Sequence, residues 1–292
     1  MRVLLTGGDG FIGRNLQLRL GERHEVLAPH RSELDLLDDG AVRRWLADRR
    51  VDAIVHSATI PGHRNAPPAP DLGMRNLRMF FSLALHSSPS TRVVVLGSGA
   101  EYDVTRMEPR AKEESAGRFV PADDTGLSKL VMSLHAERDP RCVHLRPFGV
   151  FGPHEDWEIR FVSNAICKAL FDRPVTLRQN RRLDYIWVED LAAVVEHVLV
   201  NDMPHRTYNV TPDEMPDLLT LARLVLDVAG KDLPIRMGAP GLGPEYTGDN
   251  TRLRSAIPGL SLTPLREAVT TLWGWYSGRR EFIRPEALEV DK

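Results

Sequence analysis

The chain has 292 residues, with 38 Lys plus Arg against 40 Asp plus Glu and a formal charge of −2, a balance that offers no basic footprint for nucleic acid. Hydrophobic residues make up 42% and charged residues 27%, the proportions of an ordinary packed domain, which excludes disordered and collagen-like classes. No apolar run approaches the roughly 18 residues that a membrane helix needs, and Met1 leads directly into a strand-like run without a signal-peptide layout, so a cytoplasmic protein is expected. Cys142 and Cys167, 25 positions apart in the sequence and away from any His cluster, signal neither a disulfide framework nor a metal site.

Arg2–Thr6 reads as a short apolar strand, followed by Gly7, Gly10 and Gly13 and an amphipathic stretch over 14–20. Further strands are predicted at 26–28, Ala53–His56, Arg92–Leu96 and 142–145, and helices at 39–48, Leu72–His86, 126–137 and 161–171. A proline-rich loop covers 61–70, an extended stretch 173–186, and a helix 188–199. Strands that are apolar throughout, alternating with helices, predict an α/β protein with a Rossmann-type, doubly wound parallel sheet covered on both faces. After His205 the chain is richer in Pro and Gly, with helices predicted at 218–228 and 264–276 and a loose tail over the last dozen residues. The predicted division is a main domain of 1–151 completed by 176–211, and a smaller interleaved lobe of 152–175 and 212–292.

Glycines between a strand and a helix let the backbone approach a pyrophosphate held by the amides at the helix N-terminus, so a dinucleotide is the expected ligand of Gly7, Gly10, Phe11, Ile12 and Gly13. The G-x-x-G-x-x-G spacing resembles that of the short-chain dehydrogenase/reductase superfamily, in its extended, nucleotide-sugar-modifying branch. The resemblance runs through nearly the whole chain. No acid stands at the end of the second strand, where it would bind the adenosine ribose hydroxyls of NAD; Arg31 stands nearby and suits the 2′-phosphate of NADP. The stretch 32–38 resembles GDP-fucose synthases, which use NADPH, and the Asp35-Leu36 pair would contact adenine. NADP(H) is therefore the preferred cofactor and NAD(H) the second candidate, with Asp9 a complication because a carboxylate repels phosphate. His56-Ser57-Ala58-Thr59 resembles the family's His-x-Ala-Ala segment beside the cofactor, which places Ser57 and Ala58 there and leaves His56 as a packed residue. Arg146 to Pro153 resembles the family's Arg-Pro-x-x-Val-Tyr-Gly-Pro turn, so Pro147 and Phe148 would border the nicotinamide.

The family works with a Ser or Thr, a Tyr and a Lys. Ser98, four positions before Tyr102, fits the hydroxyl that bonds the substrate oxygen, and Lys129 fits the lysine of Tyr-x-x-x-Lys, which also bonds the nicotinamide ribose. The tyrosine position holds Thr125. An aliphatic hydroxyl is far less acidic than a phenol, whose pKa is about 10, so a reduction tolerates Thr125 better than a reaction that starts by removing a proton. Thr125 is thus read as a hydrogen-bonding hydroxyl, with three alternatives open: an inert relic, a residue altered from the original, or a tyrosine supplied from elsewhere such as Tyr102. Dehydratases of this branch carry an acid pair where this chain has Gly99 and Ala100. The smaller lobe would bind the sugar substrate, nucleotide-linked or part of a natural product, with Tyr102, Arg160 and Arg178 on the substrate side.

The resemblance thus implies an NADPH-dependent keto-sugar reductase. An NAD-dependent nucleotide-sugar epimerase and a noncatalytic dinucleotide-binding protein remain the alternatives. The helices at Leu72–His86 and 126–137 match those that pair in the family's dimers, which makes a homodimer the expected assembly and leaves no call for a metal, a nucleic acid or a membrane.

Overall fold

Val3, Leu4, Leu5, Ile54, Val55, Val93, Val94 and Val95 are all fully buried, as strands covered on both faces must be. They lie in a computed structural model that describes residues 1–60 and 70–288; nearly all of the proline-rich loop predicted at 61–70 lies outside the described residues. In chain order the elements are β1 (Arg2–Thr6), α1 (Phe11–Gly21), β2 (Glu25–Leu27), α2 (Asp39–Ala47), β3 (Ala53–His56), α3 (Leu72–His86), β4 (Arg92–Leu96), α4 (Asp124–Ala136), β5 (Cys142–Pro147), β6 (Gly149–Phe151), α5 (Phe161–Leu170), β7 (Val175–Asn180), β8 (Tyr185–Trp187), α6 (Val188–Val200), β9 (Thr207–Val210), α7 (Leu218–Ala229), β10 (Ile235–Leu242), α8 (Thr251–Ala256) and α9 (Leu265–Ser277).

The main sheet runs β2-β1-β3-β4-β5-β9 and is parallel throughout. From β1 the chain moves outward to β2 and then returns to the other side as β3, which opens a crevice at the carboxyl ends of β1 and β3. Leu16 and Leu20 of α1, Leu191 and Val195 of α6 and Leu253 of α8 cover one face. Val42 of α2, Phe80 and Leu83 of α3 and Met132 of α4 cover the other. Each such side chain contributes about 1.5–3 kcal/mol on burial, which makes this Rossmann-like sandwich the rigid support of the site.

A second core gathers Ile166 of α5, Val225 of α7 and Leu272 of α9. Two differences from the predicted division follow from where apolar side chains find cover. Strand β7, expected from 176 onward to complete the main domain, pairs with β10 instead, and its first residue, Val175, lies in the second core as the predicted lobe of 152–175 has it. Helix α8, expected in the smaller lobe, packs Leu253 onto the main sheet, and Ile257 just after it does the same. The predicted loose tail is docked as far as it is described: Ile283 and Leu288 are buried in the second core. No helix among the described residues is long and apolar enough to cross a membrane.

Candidate active site

Strand register sets the site. Thr6 lies opposite His56, His56 opposite Val95, and Leu96 opposite Leu145, so the residues that follow β1, β3, β4 and β5 share one edge of the sheet.

At the first of these ends Gly7 adopts φ +75°, and its amide-bearing loop closes with Gly10 N donating to Gly7 O at 3.0 Å. A Cβ on Gly13 would stand 1.9 Å from Gly7 O, and one on Gly7 would stand 2.8 Å from the Ala58 backbone. The glycines thus let α1, β1 and the segment after β3 meet at backbone contact. Gly10 caps α1 without a side chain, which leaves the amides of the first turn open to an anion. A cleft lined by Gly7, Gly8, Asp9, Arg31, Leu36 and Ala58 continues from this turn. A turn with bare first-turn amides, followed by a cleft with an apolar wall, fits a dinucleotide. Asp9 is turned onto His30, its carboxylate 2.9 Å from Nδ1. Arg31 is exposed and lies 3.5 Å from Asp35, whose other oxygen accepts from Leu37 N.

Behind the edge, His56 is fully buried. Its Nδ1 shares a 2.9 Å hydrogen bond with Thr6 Oγ1 and its ring lies on Phe80. Burial pulls its pKa down to about 3, with the Lys129 charge adding to the effect, so it packs as a neutral imidazole.

Ser98 caps the short 3-10 turn Gly99–Tyr102, its Oγ accepting from Ala100 N while its own amide donates to Glu101 Oε1 at 2.9 Å. Glu101 is fully buried and accepts from His144 Nε2 at 2.7 Å and Arg146 Nε at 2.5 Å. Burial pushes the Glu101 carboxyl up, but His144 and Arg146 outweigh it and hold the group below its ordinary value. Burial also holds His144 low, and its Nδ1 has no partner among the described residues. These contacts assign the neutral tautomer with the proton on Nε2, so Arg146 carries the balancing charge. A Cβ on Gly97 would stand 2.1 Å from His144 Nε2, and one on Gly99 2.4 Å from the Phe148 ring. The two glycines around Ser98 are therefore required by what packs against them. Glu101, one position beyond the sites where a dehydratase carries its acids, is a structural anion and not an available acid.

Lys129 stands one turn after Thr125 on α4. Its Nζ donates to Leu96 O at 2.7 Å, it is 5% exposed, and burial pulls its pKa down to about 8 against the opposing charge of Glu101. Thr125, half-buried in the first turn, makes no side-chain hydrogen bond among the described residues. Tyr102, expected on the substrate side, is buried, with its hydroxyl donating to Asn209 Oδ1 at 2.6 Å. It is committed to the core behind the site, so neither a substrate contact nor a proton donor is proposed for it. Arg160, at the N-terminus of α5, and Arg178, on β7, are exposed.

The sequence pattern missed two features. Tyr246, from the loop before α8, stands against the Ser98 side chain, which lowers its pKa, and packs on Phe148, ring centroids 4.9 Å apart. No spacing linked these distant positions. His135, Asp139 and Cys142 converge within 4.8 Å, although Cys142 looked isolated in the sequence. Arg141 engages both carboxylate oxygens of Asp139, and burial pushes the Cys142 thiol up to about 12, so this trio does not present a deprotonated metal-ligand set.

A doubly wound sheet with a glycine cradle at its switch point, joined to a second lobe, defines a dinucleotide-binding protein of the Rossmann type. Residues 3–211 match the NAD dependent epimerase/dehydratase family, and the chain belongs to it. Among its relatives, the dTDP-4-dehydro-6-deoxy-D-allose reductase of Streptomyces bikiniensis is 25% identical over 94% of this chain and 95% of its own length. The GDP-L-fucose synthase of Escherichia coli is 26% identical over 68% and 69%. A GDP-mannoheptose C4 reductase from Campylobacter jejuni, solved with NADP bound, superposes with a TM-score of 0.81 at 18% identity over 94% and 98% of the two chains.

Proposed function

We propose that the protein is an NADPH-dependent ketoreductase acting on a keto-sugar, most simply one carried on a nucleoside diphosphate. The observation that carries the reading is the common edge on which Ser98, Lys129 and Phe148 gather beside the glycine cradle, while Glu101 is withheld from chemistry by Arg146 and His144. The names of the reductase relatives support the same class.

In this reading the amides of Phe11 and Ile12 hold the diphosphate, Arg31 holds the 2′-phosphate, Leu36 lies against adenine, and Ser57 and Ala58 line the backbone path between. Lys129 reaches the ribose with the N–H bonds that Leu96 does not use, and Pro147 and Phe148 border the ring. When bound, the reduced dinucleotide supplies the hydride. Ser98 and Thr125 place hydroxyls around the carbonyl oxygen, and Arg160 and Arg178 offer forked donors for a diphosphate. Removing a proton first, as an epimerase must, would need a base that Thr125 does not provide.

The test is the fall of NADPH absorbance on mixing with a panel of dTDP- and GDP-linked keto-sugars. Turnover by the native protein is expected, with kcat/KM reduced roughly 100- to 1,000-fold in Lys129→Ala, within the usual range for a proton-handling group. Arg31→Ala is expected to weaken NADPH about tenfold, or about 1.4 kcal/mol, and NADH far less. Silence across the panel would favour a noncatalytic dinucleotide-binding protein, an oxidised cofactor retained on purification would favour an epimerase, and equal loss of both cofactors in Arg31→Ala would remove the 2′-phosphate assignment.

The reading includes a homodimer. Its support is the apolar surface left on the packed pair α3 and α4, where Met74, Leu85, Leu127 and Leu134 are exposed. Sedimentation should give twice the chain mass, and Leu85→Glu with Leu134→Glu should give the monomer; a native monomer would overturn the assembly.

A further inference from the structure

We propose that Tyr246 is the proton-donating phenol of this site, delivered from the C-terminal part of the chain to Ser98 in place of the tyrosine that α4 lacks at Thr125. The assignment rests on the ketoreductase reading above.

Three observations converge on it. The Tyr246 side chain stands against that of Ser98, which lowers its pKa, whereas the Thr125 hydroxyl has no hydrogen-bond partner among the described residues. The Tyr246 ring lies on Phe148, which in turn stacks on Tyr102, centroids 5.8 Å apart and planes within 24°, so the phenol is backed by a fixed aromatic wall. Its backbone is pinned from both sides. Tyr246 N donates to Arg182 O at 2.9 Å and Tyr246 O accepts from Asp184 N at 3.2 Å. Two residues on, Gly248 N donates to Asp184 Oδ2 at 2.7 Å. A donor held this way needs little reorganisation when the substrate arrives.

The surroundings also fix the direction of proton flow. Burial pushes the phenol above its ordinary pKa, with the neighbouring Ser98 opposing and the charges of Glu101, Asp184 and Asp123 pushing it further. A phenolate would therefore form only at high cost, so the group serves as an acid and not as a resting base. Reduction leaves the carbonyl oxygen as a developing alkoxide, which is more basic than a phenolate, and the transfer is downhill. The Tyr246 Oη–H bond breaks as the O–H bond of the product alcohol forms. The phenolate then recovers its proton from water, with Ser98 donating to it in the interval. The overall balance is one hydride and one proton added to the C=O group. Thr125 keeps the lesser part of a hydrogen-bonding hydroxyl.

The experiment compares native protein with Tyr246→Phe, Thr125→Val and the double variant Tyr246→Phe/Thr125→Tyr. Tyr246→Phe removes one oxygen and keeps the ring on Phe148. It is expected to slow single-turnover reduction at least about 100-fold while NADPH affinity, read by fluorescence, stays within about twofold. Thr125→Val should cost roughly tenfold less than that, and the double variant should recover at least about tenfold. A readout without turnover is the near-ultraviolet tyrosine difference spectrum on adding a keto-sugar nucleotide to cofactor-free protein: the shift of a phenol that gains an acceptor should be present in native protein and in Thr125→Val, and absent in Tyr246→Phe. Native-like reduction by Tyr246→Phe, or a spectral shift that survives it, overturns the assignment alone. A native protein that reduces no keto-sugar overturns the ketoreductase reading and this assignment with it.

Discussion

Glu101→Ala is expected to destabilise the protein by about 3–5 kcal/mol, the range for removing one partner of a buried ion pair, and to lower the urea midpoint at unchanged slope. The size follows from what is left behind. Arg146 is among the largest fully buried side chains and has Glu101 and Ser133 as its close polar partners, with the Tyr102 hydroxyl at 3.5 Å. Without the carboxylate Arg146 becomes a buried cation without its ion-pair partner, with only the more distant charge of Glu113 near it among the described residues, and His144 loses its acceptor. Glu101→Gln keeps the shape but not the charge and should cost less. Function should fall in both variants, because the amide of Ser98 is anchored on Glu101 Oε1 and the hydroxyl it positions would lose its fixed direction. A Glu101→Ala protein with the native urea midpoint would show that the cluster is solvated and that Glu101 is free for other work.

The parts of this molecule that repeat a pattern over neighbouring residues were legible in the sequence. Ala53–His56, Leu72–His86 and Arg92–Leu96 form as predicted because apolar period and flanking breakers agree there. The glycine turn was legible from its place between a strand and a helix, whereas Ser98 and Lys129 were singled out through the family resemblance alone. What escaped depends on tertiary contacts. β10 contains two glycines and a proline and is largely exposed, so no strand signal exists; it forms because β7 offers a partner edge. β9 has only four residues, one of them Asn209, whose amide bonds Ala111 O and Asp249 O in the core. Its polarity hides a strand at the edge of the main sheet. Tyr246 was invisible because nothing in a loop reading Gly-Pro-Glu-Tyr-Thr-Gly announces which surface it will meet. Tyr102, by contrast, was conspicuous beside Ser98, and the chain spends its hydroxyl on Asn209. That contact suits a structural tyrosine after the strand better than the substrate-side place it was also given.

The second large effect concerns Gly13. Gly13→Ala is expected to weaken NADPH at least about 100-fold, or about 2.7 kcal/mol, with an overpacking cost of about 1–3 kcal/mol in stability. The added methyl would sit 1.9 Å from Gly7 O and 2.7 Å from Gly7 C. Both are backbone atoms of the turn whose amides are assigned to the diphosphate, and Gly7 is itself pressed against the Ala58 backbone. The turn cannot retreat toward β3, so α1 must lift from the sheet and carry its first-turn N–H groups away from the phosphate position. Gly21→Ala is the matched control: it lies at the other end of α1, where a Cβ meets nothing within 4 Å, and should leave NADPH affinity unchanged and stability slightly higher. Fluorescence titration of both variants beside the native protein measures the difference. If Gly13→Ala binds NADPH as tightly as Gly21→Ala, the cofactor does not rest on this turn, and the roles given to Arg31, Ser98 and Lys129 along the same edge lose their common reference point.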